Sequence, residues 1–123
     1  MRIIATMAAL LLAVAVVPEA QSGGQVIYKI GDQGVKAPVP TKTVTPHYTG
    51  DAMRRKAQGT VVVDAVVLAT GTVGDVIVRR SVDPDLDDAA VKATKQWRFK
   101  PGTKDGEPAA VEVFIELTFT LRK

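Results

Sequence analysis

A chain of 123 residues with a net charge of +3 and no cysteine is long enough for one small domain. It excludes a disulfide framework, a thiol nucleophile and a lipid-modified cysteine. The charge excess is that of an ordinary soluble surface, so nucleic acid is not indicated as a partner.

Arg2 precedes an uncharged, mostly apolar run over residues 3–17, and Pro18 then opens a small polar segment. This is the layout of a secretory signal peptide over residues 1–22, with Ala20 and Ser22 as the small residues before the cut. A short membrane anchor is the alternative reading, but the run is shorter than the ~20 apolar residues that span a bilayer. Residues 23–45 hold Gly23, Gly24, Gly31, Gly34, Pro38 and Pro40, which predicts an extended, turning segment with one short strand over 25–30. The folded domain is expected over 46–123.

Within it, a first helix fits residues 51–58, capped by Thr49 or Asp51 and closed by Gly59. The β-branched run over 60–68 predicts a strand, and Gly71 lies in the turn that follows. Val73 and Val76 break strict alternation in the return strand over 72–80, which predicts a bulge near Gly74 and Asp75. Asp83 and Pro84 cap and open a second helix, with Asp85, Asp87 and Asp88 at its positive end and Lys92 and Lys95 toward its negative end. Leu86, Ala89, Ala90, Ala93 and Trp97 recur at helical spacing, whereas Trp97 and Phe99 alternate with Arg98 and Lys100 as in a strand. The expected core therefore includes Leu86, Ala90, Ala93, Trp97 and Phe99. Lys104, Asp105 and Gly106 predict a hairpin turn, so that the Trp97 segment opens the last hairpin. In the final strand, over 110–121, every odd position is apolar and the even ones are mostly polar, which predicts one buried and one solvated face. The fold class is α+β: a small antiparallel sheet in the order α-β-β-α-β.

No catalytic constellation accompanies these elements. His47 is the only histidine, Ser81 has no base in view, and no serine lies in a nucleophile elbow. The acidic stretch 83–88 has Asp88 where a calcium loop needs glycine and is better read as helix capping. Scattered arginines and lysines read as a solvated surface. Neither a cofactor nor a metal is indicated. What remains is the last strand: at a sheet edge its free backbone groups would accept a strand from a partner, with Phe114 the one apolar side chain on its outer face.

Pro46-His47-Tyr48, Gly59-Thr60-Val61-Val62-Val63, Gly71-Thr72-Val73 and Leu86-Asp87-Asp88-Ala89-Ala90 occur in an order and spacing similar to one known family. With Trp97-Arg98-Phe99-Lys100-Pro101 and Gly106-Glu107-Pro108 before the final strand, the chain resembles the C-terminal domain of the TonB energy-transducer family. The resemblance implies two helices packed on one face of the sheet and a periplasmic, non-enzymatic binding role in TonB-dependent transport. It implies contact with a TonB-box peptide of an outer-membrane receptor through Val111, Glu112, Val113, Phe114, Ile115, Glu116, Leu117, Thr118 and Phe119, and through Pro46, His47 and Tyr48. If the apolar run is retained as an inner-membrane anchor, it implies an energy transducer acting with ExbB and ExbD. A structural module that binds peptidoglycan or an envelope assembly is a further reading, and exchange of the last strand between two copies is the dimer such an edge allows.

Overall fold

The computed structural model describes residues 25–121. The signal or anchor expected over 1–22 lies outside them. In chain order the elements are β1 (Ile27–Lys29), β2 (Val35–Lys36), β3 (Val39–Lys42), α1 (Gly50–Arg54), β4 (Gly59–Val67), β5 (Val73–Arg80), α2 (Pro84–Lys95), β6 (Arg98–Lys100), β7 (Thr103–Lys104), β8 (Glu107–Pro108) and β9 (Ala110–Phe119).

The main sheet has the order β1-β9-β4-β5. β4 and β9 pair antiparallel without interruption, from Gly59 opposite Phe119 to Val67 opposite Val111. Because side chains alternate along a strand, Val61, Val63, Ala65 and Val67 share one face with Val113, Ile115, Leu117 and Phe119, and all eight are buried. Ala52 of α1 and Leu86, Ala89 and Ala90 of α2 close over that face in a single apolar cluster that also takes in Phe99. The protein is therefore α+β, with both helices on one side of its sheet.

Helix α2 is fixed at its start by its own sequence. The Asp83 side chain accepts from the Asp85 backbone N–H at 2.8 Å, and Pro84 occupies the first helical position, so the acidic stretch is a cap. Arg55, the C-cap of α1, donates through Nη2 to both Asp83 carboxylate oxygens at 2.8 Å and so ties the end of one helix to the start of the other. That hydrogen bond holds the Asp83 carboxyl below its usual range.

Several expectations are corrected. Helix α1 stops at Arg54 rather than at residue 58: Ala57 N–H bonds to Ala52 C=O and Lys56 N–H to Met53 C=O, both at 2.9 Å, a Schellman closure. The left-handed residue of that closure is Lys56, at φ 58°, whereas Gly59 already begins β4. The bulge falls where alternation breaks, since Ala65 pairs with Val76 but Val67 with Val73. A second register shift leaves Arg79 as the extra residue between the Val63–Val78 and Val62–Arg80 pairs.

The Trp97 segment does not open a hairpin with the last strand. β6 pairs antiparallel with β3, Val39 opposite Lys100, and the hairpin turn at Asp105 and Gly106 joins only the short β7 and β8. The Gly/Pro-rich segment thus supplies β1, β2 and β3, and the main sheet is mixed, because β1 runs parallel to β9. Leu86, Ala90, Ala93 and Phe99 are buried, but Trp97 is only half-buried and packs at the margin of the cluster.

Leu86 has no exposed surface, and truncating it would leave a cavity between α2 and the sheet. The Leu86→Ala variant is expected to lose about 3 kcal/mol of stability, read from the urea midpoint at unchanged slope.

Candidate functional site

β9 is covered along its whole inner edge by β4. On its outer edge β1 covers only the beginning, with Ile27 opposite Ala110, Tyr28 opposite Val111 and Lys29 opposite Glu112. Beyond Glu112 no other strand among the described residues pairs with that edge. The exposed edge is thus residues 113–119, shorter than the stretch from Val111 that the resemblance implies.

Hydrogen bonds at the two ends of the strand fix which backbone groups face outward. Leu121 N–H bonds at 2.9 Å to Oε1 of Gln58, the residue leading into β4, so continued alternation turns the odd-numbered amides of β9 inward. At the other end, Lys29 N–H is taken by the Asp32 carboxylate at 2.8 Å and Lys29 C=O by Asp32 N–H at 3.0 Å. That leaves Tyr28 as the β1 residue that bonds to β9, through Ala110 and Glu112 on either side of Val111. Both ends give one answer: Phe114, Glu116 and Thr118 direct their N–H and C=O groups to the open edge.

A groove of about 260 Å³ lies along this edge, between Glu116, Leu117 and Thr118 and a wall of Thr43, Val44, Thr45, Pro46 and Trp97. The indole Nε1–H of Trp97 donates to Val44 C=O at 3.1 Å, which pins residues 43–46 beside the helix end. The Trp97 and Phe99 rings lie 6.0 Å apart, so the buried Phe99 backs the groove wall.

Of the residues marked near the first helix, only Pro46 joins the groove. Tyr48 turns inward, its ring edge-on to Phe119 at 5.5 Å and its hydroxyl donating to Ala57 C=O. His47 lines a separate hollow of about 280 Å³ against α2, with Asp85, Asp88 and Lys92. Val111, Val113, Ile115, Leu117 and Phe119 are buried, and Phe114 projects from the face opposite the helices at 60% exposure. Sequence reasoning missed Thr43, Val44, Thr45 and Trp97 as groove wall. The two periodicities of Trp97 signalled packing of α2 against the sheet but not the hydrogen bond across to Val44.

Phe114 stands beside Asp64, which is buried at 5% exposure and receives Arg79 Nε–H and Nη2–H at 3.1 and 3.0 Å. Glu112 lies on the same face. A hydrogen bond with Asp64, then burial and charge repulsion from Asp64, raise its carboxyl above the usual range, against the opposing pull of Lys29 and Arg79. Among the described residues no three metal-ligating side chains converge. What the site offers chemically is a row of backbone donors and acceptors with no strand partner among the described residues, flanked by a partly apolar groove, a surface of the kind that can accept an added strand.

Residues 44–121 match the model of a family described as the Gram-negative bacterial TonB protein C-terminal. Protein TonB of Xanthomonas campestris pv. campestris is 35% identical over 92 residues, which cover 73% of this chain and 41% of that protein. Protein tonB2 of Pseudomonas aeruginosa is 38% identical over 77 residues, 62% of this chain and 28% of that protein. The chain thus spans well under half the length of these relatives. The solution NMR structure of Pseudomonas aeruginosa TonB CTD, 24% identical, superposes with a TM-score of 0.54 over 77% of this chain and 96% of that one, a likeness of fold.

The raised carboxyl of Glu112 carries a pH signature. The folded protein binds its proton more tightly than the unfolded chain does, so this contribution to stability is full below the ordinary glutamate range and is lost as pH rises through the raised value. Glu112→Gln is expected to match the parent in thermal midpoint near about pH 4 and to exceed it at about pH 7, as thermal melts across that range will show.

Proposed function

The chain belongs to the TonB C-terminal family, and from that premise we propose that it is a periplasmic binding module whose β9 edge pairs with an extended TonB-box segment of an outer-membrane transporter. The family is one of binding and energy-transducing proteins rather than enzymes. The observation that carries the proposal is the unpaired edge over residues 113–119, with its groove against Pro46 and Trp97.

An incoming strand would bond its backbone to Phe114, Glu116 and Thr118. Its side chains would then alternate between two environments. Those on the helix side would enter the groove beside Val44, Pro46 and Trp97. Those on the other side would lie along Phe114, whose exposed ring supplies apolar contact there. Backbone pairing gives affinity with little regard to sequence, and the groove adds the preference for particular side chains.

An anchored energy transducer working with ExbB and ExbD is the second reading, favoured by the identity to Protein TonB and by the apolar run at residues 3–17. N-terminal sequencing of the mature protein separates the two: a start at Gly23 supports the free periplasmic module, and an intact Met1 supports the anchored form.

Trp97 is the only tryptophan and stands in the groove wall, so its emission reports occupancy directly. Titration with TonB-box peptides of receptors from the same organism is expected to shift that emission saturably. Proline at Glu116 removes an outward amide without touching the β4 ladder, so Glu116→Pro is expected to stay folded and to weaken binding at least tenfold. A folded variant with unchanged affinity would count against pairing at β9.

A further inference from the structure

The outer edge of β9 is divided, and the division is built by the chain itself. β1 runs in the same direction as β9 and reaches Lys29 opposite Glu112. Continued straight, the chain would lay Ile30 opposite Val113 and go on to cover the open edge. It does not, because it turns back at once. The Asp32 carboxylate caps Lys29 N–H at 2.8 Å, Asp32 N–H bonds to Lys29 C=O at 3.0 Å, and Gly31 takes the left-handed φ of 103° that such a turn requires. The returning chain is then held elsewhere: Lys104 Nζ donates to Gln33 C=O at 2.7 Å, Asp105 N–H to Gly34 C=O at 2.8 Å, and β2 pairs with β7. The turn is thus tethered to the β7–β8 hairpin, and β1 is pinned between that tether and β9.

We propose that β1 and its Gly31–Asp32 turn act as a register stop, confining an added partner strand to residues 113–119 and setting where its first paired residue must fall. The inference rests on strand addition at β9 and adds to it the element that fixes the frame. The stop also has a recognisable face: Ile30, more than half exposed, follows directly on Lys29 opposite Glu112, where the end of the incoming strand would meet it. A partner segment that fits therefore ends its extended stretch there, with a turn, a proline or a chain terminus, and a longer uninterrupted strand gains nothing from its excess.

Backbone amide exchange, read residue by residue on the whole chain, tests this. The probes are two synthetic peptides of alternating threonine and valine, one as long as residues 113–119 and one as long as β9. In the parent protein both are expected to slow exchange at Phe114, Glu116 and Thr118 and to bind equally, while Glu112, already paired to β1, is unaffected. Tyr28→Pro removes the N–H that Tyr28 gives to Ala110 C=O and so loosens β1 from β9, and the Glu112 amide, whose acceptor is Tyr28 C=O, is expected to exchange at least tenfold faster without peptide. In that variant the protection by the longer peptide should extend to Glu112, and it should bind about tenfold tighter than the shorter one. Asp32→Ala, which loosens the turn and leaves β1 its amides, is expected to move the same readouts in the same direction by less. Protection that reaches Glu112 beyond its peptide-free level in the parent, or a parent preference for the longer peptide, would overturn the stop while leaving strand addition in place. Absence of any protection at Phe114, Glu116 and Thr118 in both proteins would overturn strand addition and the stop together.

Discussion

The structure depends on the pairing of β4 with β9. That ladder brings two runs of alternating residues into one register, so that Val61, Val63, Ala65 and Val67 meet Leu117, Ile115, Val113 and Val111 on the same face. Each of the valine, leucine and isoleucine side chains among them, fully buried, stabilises by roughly 1.5–3 kcal/mol. The helices follow from it, because only a continuous apolar face gives Ala52, Leu86 and Ala90 something to cover. The proposed function follows from it too. A strand bonded on one side through its entire length is rigid enough to present its other side as a template.

The two edges of the main sheet are managed differently. β5, at the far side, carries register shifts at both ends, with Asp75 at one and Arg79 and Arg80 at the other. Bulges and charges of this kind make a poor template for a further strand. The β9 edge carries no bulge between Val113 and Phe119 and a single charge, Glu116; its register against β4 is unbroken. An added strand would therefore find one receptive edge, whose beginning is taken up by β1.

Much of this was legible in the sequence because it rests on local chemistry. The Asp83–Pro84 start of α2, the bulge between Val73 and Val76 and the buried odd-numbered face of β9 are each consequences of neighbouring residues, and each appears in the structure. What was not legible depends on contacts between distant segments. β6 looked like one arm of the last hairpin, yet β3 takes it as a partner; Phe99 N–H also bonds at 2.8 Å to the C=O of Gly71, in the β4–β5 turn. Trp97 satisfied two periodicities at once, and neither says that its indole would reach Val44 and form a groove wall. The end of α1 misled for a different reason: the sequence offers a glycine at 59, but the Schellman closure falls three residues earlier and uses Lys56 at a left-handed angle despite the cost to a side-chain-bearing residue.

The length of chain that the β4–β9 ladder closes has a consequence for folding time. Gly59 meets Phe119 at the last residue of the last strand, and β5, helix α2 and the short hairpin all lie between them. Contacts so far apart in sequence form slowly, because the loop-closure entropy is lost before the pairing compensates for it. Helix α2 and the β4–β5 hairpin can form early, but their apolar faces stay open until β9 arrives. The element proposed to recognise a partner is thus also the one that completes the fold, and a chain not yet closed by β9 shows solvent both an uncovered core and an unpaired β4. For as long as that state lasts, the chain depends on whatever shields such surfaces during folding.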